Sequence, residues 1–159
     1  MINQRKRLRI KDYDYSSQNY YFVTLCTDNR SNIFGDVNNL NNIGNIADAE
    51  LQKITEHFPR VKVDKYVVMP NHIHAIIVIG CDDTIVGNGL DRSKIPTLSE
   101  IIGLYKSGVS RQVHKSYPDL KVWQKSFYDH IIRNEKEYLE IWKYIDENPI
   151  RWQDDEYYL

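Results

Sequence analysis

His72 and His74 stand one residue apart in a chain of 159. In a strand, residues two apart share a face, so the two imidazoles lie side by side while Ile73 turns the other way. Two neutral imidazoles converging on one point form half of a metal site. The alternative for a bare His-x-His is a pair of polar side chains on a solvent-facing strand. The surroundings favour the metal: the pair follows Pro70-Asn71, a turn signal, and opens an apolar run whose exposed side would more naturally carry Thr or Lys. A third ligand and a reactive group must then come from another element. Tyr144 and Asn148 are one helical turn apart and fall together on the flank of a helix, at the rim of its contact with the sheet. Asn148 offers an amide oxygen to a cation. Helix register makes Tyr144 eligible as a nucleophile and no more, because the chain has 12 tyrosines and each can be a boundary aromatic with a wet hydroxyl.

The elements that must position these residues follow from pattern. Residues 20–27 are dense in aromatic and β-branched side chains and read as the first strand. Asn45, with Asp48 three residues on, opens a helix whose apolar positions Ala47, Leu51, Ile54 and Phe58 run up to Pro59. Residues 66–69 and 74–79 are apolar runs joined by a tight turn at Pro70-Asn71, an antiparallel hairpin with the His pair at the start of its second strand. Residues 81–96, rich in Asp, Gly and Asn, read as one long loop. Thr97 and Glu100 have the form of a capping box for a second helix with Leu98, Ile101, Ile102, Tyr105 and Val109 on one face and Lys106, Arg111 and Lys115 off it. Val122-Trp123 and residues 127–132 are strand material. Asn134 then caps a helix that runs to about Asn148, where Pro149 discourages continuation. The order β, α, β, β, α, β, helix makes an α+β fold, a ferredoxin-like split βαβ antiparallel sheet with helices on one face and an added C-terminal helix carrying the tyrosine.

With 42% hydrophobic and 27% charged residues, the chain can bury one ordinary core, so residues 13–152 are expected to form a single domain. Residues 1–12 form a basic arm with Arg5, Lys6, Arg7, Arg9 and Lys11, and residues 153–159 an acidic tail. No run is apolar enough for a membrane span and the first residues lack a secretory pattern, so a cytoplasmic location is expected, with Cys26 and Cys81 as thiols. The net charge of -1 does not exclude nucleic acid, since counterion release depends on local contacts.

Several blocks together resemble a known family. They are Tyr21-Phe22-Val23-Thr24; Val67-Val68-Met69-Pro70-Asn71-His72-Ile73-His74; Leu98-Ser99-Glu100-Ile101-Ile102 with Lys106-Ser107; residues 123–134, from Trp123-Gln124 to Arg133-Asn134; and Tyr144-Ile145-Asp146-Glu147-Asn148-Pro149. In this order they resemble the blocks of REP-associated tyrosine transposases, within the single-tyrosine HUH superfamily. The resemblance implies that His72 and His74 are metal ligands, Asn148 the third ligand and Tyr144 the attacking tyrosine. It implies a reaction in which single-stranded DNA is nicked and joined through a 5′-phosphotyrosine link, with Mg²⁺ or Mn²⁺ as cofactor and single-stranded or hairpin DNA as partner. A monomer is favoured, a homodimer being the alternative. Arg5, Arg7, Lys106, Arg111 and Arg133 are the expected DNA contacts, with Tyr105 and Trp123 as stacking platforms and Asp129 and His130 as supporting groups. Two other classes remain: a protein that binds hairpins without cutting them, and a metal phosphodiesterase whose His-x-His pair activates water. The chain departs from the family in its slightly acidic charge and in having no recognisable hairpin-reading residues.

Overall fold

Strand alternation dictates a sheet with two different faces, and the computed structural model, which describes residues 19–80 and 95–158, builds it. Strands β1 (Asn19–Cys26), β4 (Val61–Met69), β5 (His72–Ile79) and β6 (Tyr128–Ile132) form one sheet in the order β4-β5-β1-β6. Every neighbouring pair is antiparallel, and the register sets Thr24 opposite His74 and Cys26 opposite His72. The central strands thus carry the His pair at the end nearest the Pro70-Asn71 turn.

On one face, Tyr21, Val23 and Leu25 of β1 and Ile73, Ala75, Ile77 and Ile79 of β5 meet two helices, α1 (Asn42–Gln52) and α3 (Leu98–Val113). Each such Ile or Leu withdrawn from water contributes about 1.5–3 kcal/mol before the entropy of ordering it is charged against it. Thr97 and Glu100 form the expected capping box, satisfying the first amides of α3. On the other face Ile76, Val78 and Ile132 pack with Ile145 of α4 (Glu135–Glu147). Helix α4 crosses β4 and β5, and polar ties reinforce the contact. The Tyr138 hydroxyl donates to Asp64, the Lys65 ammonium lies 2.6 Å from Asp146 and 3.9 Å from the Trp142 ring centroid.

The structure departs from expectation in detail. A two-stranded ribbon, β2 (Gly35–Asp36) and β3 (Asn39–Leu40), sits between β1 and α1; its strands are too short to show alternation, but Gly35 and Asn38 take the positive φ values that its bend needs. The first helix is opened by Asn41, whose side chain accepts from the Gly44 amide, four residues before the expected cap. A break at Lys53 separates α1 from the single turn α2 (Ile54–His57). Val122-Trp123 makes no strand, only a bridge from Trp123 to Thr27. Arg5, Arg7, Cys81 and most of the expected loop 81–96 lie outside the described residues. Among those described, no helix is long and apolar enough to cross a membrane.

Candidate active site

Both imidazoles are withdrawn from solvent and both are oriented. His72 is fully buried, and its Nδ1 lies 2.8 Å from the Asn71 side-chain oxygen. An amide oxygen only accepts, so Nδ1 carries the proton and Nε2 is left with a free lone pair. His74 Nδ1 is 2.9 Å from the Thr24 hydroxyl, which leaves its Nε2 pointing to the same side. The ring centroids are 4.5 Å apart. Burial pushes the His72 pKa down to about 4, although Asp155 and Asn148 favour its protonated form. Burial, helped by the neighbouring His72, holds His74 well below its ordinary value. Both rings are therefore neutral at pH 7, the state in which imidazole is a ligand.

Helix α4 brings Tyr144 to this pair within one chain. Its hydroxyl lies 3.5 Å from His74 Nε2, and its ring packs edge-on to Phe22 at 6.1 Å. The phenol is 42% exposed, accessible to an incoming phosphate. Partial burial, then the charges of Asp155 and Glu156, push its pKa up to about 12, against a hydrogen bond from Asn148 that lowers it. Asn148 is the C-cap of α4 and is buried. Its amide nitrogen donates to Asp155 at 2.9 Å while its oxygen has no partner among the described residues.

Asp155 is the residue that sequence reasoning missed. Ligand atoms of His72, His74 and Asp155 all lie within 4.8 Å of one another. The only signal was the run Asp154-Asp155-Glu156, which reads as a solvated tail; nothing in pattern says that one acid folds back. His72 Nε2 and the Asn148 oxygen are buried acceptors that nothing in the described chain satisfies, and leaving such atoms unpaired is costly. A cation between them resolves that cost. Two imidazole nitrogens, an amide oxygen and a carboxylate form a donor set that fits a divalent metal such as Mn²⁺. A cavity of about 440 Å³, lined in part by Tyr144, Asn148, Arg151 and Asp155, opens beside them.

The remaining expected residues scatter. Arg133 follows β6 and lines a second cavity of about 470 Å³ with Tyr20, Ile132 and Tyr138, on the site's face of the sheet. Arg111 is on α3, across the sheet. The Lys106 ammonium donates to the Gln124 and Ser126 carbonyls at 2.9 and 2.8 Å, holding the loop that leads to β6. Tyr105 and Trp123, expected to stack on bases, are 3% and 7% exposed and cannot do so. The capping-box helix buries its stripe completely, and the Tyr105 hydroxyl is spent on the Ala47 carbonyl. His130 contacts Glu137 on α4, tying the helix start to β6, and Asp129 follows Tyr128 on that same edge strand.

No known family profile matches the chain. A protein of Haemophilus influenzae, itself uncharacterised, is 36% identical over 173 residues, covering 99% of this chain and 95% of its own length. A REP-associated tyrosine transposase, solved bound to a REP hairpin, superposes with a TM-score of 0.59 at 20% identity, over 91% of this chain and 73% of its own. A candidate transposase of Deinococcus radiodurans R1 superposes with a TM-score of 0.51 at 14% identity, over 87% of this chain and 95% of its own. The chain belongs to one family with the Haemophilus influenzae protein, and its fold is that of the REP-associated tyrosine transposases.

Proposed function

We propose that the chain nicks and joins single-stranded DNA by transesterification, with Tyr144 as nucleophile. The observation that carries this reading is the Tyr144 hydroxyl, 3.5 Å from the Nε2 of a buried, neutral imidazole pair. A bystander tyrosine has no reason to share a rim with orphaned ligand atoms. The transposase of the same fold was solved with a REP hairpin, and we carry DNA across from it as the partner.

In the reaction, the Tyr144 oxygen attacks a phosphodiester phosphorus in line with the departing 3′-oxygen. One P–O bond forms and one breaks, the phenol proton is balanced by the proton gained at the 3′-hydroxyl, and the strand is held through a 5′-phosphotyrosine. Ester exchange conserves the bond, so a second 3′-hydroxyl can reverse the step without ATP. A phenol with a pKa of about 12 is almost wholly protonated at pH 7 and is a poor nucleophile by itself. His72, His74 and Asn148, with Asp155 adjoining them, would hold a divalent ion such as Mn²⁺ or Mg²⁺, which would supply Lewis-acid charge at the phosphate. The chain supplies position. Phe22 braces the Tyr144 ring, Thr24 and Asn71 fix the imidazoles, and Arg133 stands farther along the same face for the DNA backbone.

The test is a labelled single-stranded oligonucleotide incubated with the protein and Mn²⁺ or Mg²⁺. A denaturant-stable protein–DNA adduct is expected from the wild type and none from Tyr144→Phe. An adduct of undiminished yield in that variant would overturn the assignment, and hydrolysed ends without any adduct would favour water as the nucleophile.

A further inference from the structure

We propose that Asp155 is itself a ligand of the metal, so that the strap formed by residues 155–157 is a working wall of the centre. The inference rests on the metal reading of the His pair and names a donor that lies outside the resemblance, where Asn148 alone completes the set.

The strap is built against the site from three sides. Asn71, fully buried, has its oxygen accepting from His72 and its nitrogen donating to the Tyr157 carbonyl at 2.7 Å and the Arg30 carbonyl at 3.2 Å. One side chain thereby sets the tautomer of a ligand and pins the strap beside it. The Tyr157 ring lies 4.5 Å from the His72 ring, tilted by 34° to it, and the Arg30 guanidinium sits 5.1 Å from the centroid of Tyr157. The Trp152 ring, in the turn that leads into the strap, lies 5.8 Å from the His72 ring.

Within this frame the carboxylate of Asp155 is held in place and left unfinished. One oxygen accepts from the Tyr157 amide at 2.8 Å, the other from the Asn148 amide at 2.9 Å. An ionised carboxylate offers about four lone-pair positions, so each oxygen keeps one for a further partner. No cation of the chain approaches it in an ion pair among the described residues. Near it instead are ligand nitrogens of His72 and His74, within 4.8 Å, and His72 Nε2 and the Asn148 oxygen are buried without a partner among the described residues, the latter in a residue only 3% exposed. Electron-rich atoms gathered where two buried acceptors meet a half-buried carboxylate repel one another unless a positive ion lies between them. Asp154, the next acid in sequence, is exposed and outside the cluster. Partial burial and direction, not acidity, single out Asp155. Asn148 thus serves twice, its nitrogen steering the carboxylate and its oxygen facing the ion.

The experiment uses the full chain and Mn²⁺ alone, with no DNA. Calorimetric titration is expected to show wild type and Asp154→Asn binding alike, His72→Ala not binding, and Asp155→Asn weakened at least about tenfold. Loading with Co²⁺ in place of Mn²⁺ should give a different visible absorption spectrum in Asp155→Asn, because the ligand set changes. Should Asp155→Asn bind Mn²⁺ as the wild type does, with an unchanged Co²⁺ spectrum, the inference falls while the His pair stands. If His72→Ala also binds as wild type, the metal reading of the site falls with it. Hydrogen exchange on the wild type tests the same point without a substitution: Mn²⁺ should slow exchange at the amides of Tyr157 and Tyr158, and unaltered exchange in saturating Mn²⁺ overturns the proposal.

Discussion

Neutral histidines in a closed site carry a cost that pH exposes. In the unfolded chain His72 titrates near 6.5, whereas burial in the fold brings it to about 4. Between those values the unfolded state binds the extra proton, so stability in the metal-free protein falls as pH drops from 6.5 towards 4 and levels below. Thermal unfolding in chelator across this window should show the decline, and His72→Gln should show less of it; equal slopes would mean that the imidazole is not the titrating group. Asn71→Ala is expected to loosen two things at once, the orientation of His72 and the strap, and so to weaken Mn²⁺ binding about 10–100-fold, the range seen when a ligand's orienting partner is removed. An affinity equal to wild type would deny it that role. The His pair was legible because strand alternation is local and strict. Tyr144 was eligible from register and selected by resemblance. Asp155 was not legible, because its place depends on a return of the chain end across the sheet, held by Asn71 and Arg30 from distant positions.

The element on which the proposed chemistry depends most is α4, and it is lightly held. Ile145 is its one fully buried apolar residue, packed on Ile76, Val78 and Ile132. Tyr138 and Ile141 pack beside it only partly buried, and the remaining ties are polar or cation–π contacts at half-exposed positions, each worth less in water than in an interior. Ile145→Ala should cost about 2–5 kcal/mol of docking, and because α1 and α3 hold the opposite face independently, the loss should appear first as faster hydrogen exchange in α4 and a lower adduct yield. Exchange rising equally throughout the domain would show that α4 is not a separable unit. Thr97→Ala removes a satisfied cap at the other layer and is expected to lower stability by about 1 kcal/mol, seen in the denaturation midpoint. These contrasts follow from how elements were encoded. The four strands of the main sheet, the helices α3 and α4 and their caps at Thr97 and Asn134 are written in periodicity and end signals, and the structure has them. The β2–β3 ribbon and the break at Lys53 were not, since two-residue strands have no period and the apolar positions continue in step across the break.

At the scale of the whole molecule, the question is how a chain of net charge -1 would hold a polyanion. The sheet divides its charges by face. The site face carries Arg133 beside Tyr20 and Tyr138, whereas Arg111 belongs to the layer behind and Lys106 is engaged by loop carbonyls. On the proposed reading a single strand whose phosphate reaches Tyr144 would run along the first face, and its affinity should fall with salt by roughly 0.7 in log K per unit of log salt for each phosphate neutralised. Arg133→Ala is therefore expected to lower that slope by about one contact's share and to weaken binding without regard to base sequence. Arg5→Ala and Arg7→Ala, in the basic arm, are expected to act the same way if that arm grips backbone. Arg111 supplies the contrast. A slope that changes on replacing Arg111 and not Arg133 would place the DNA on the helical layer, far from His72 and Tyr144, and would separate binding from cleavage in this fold.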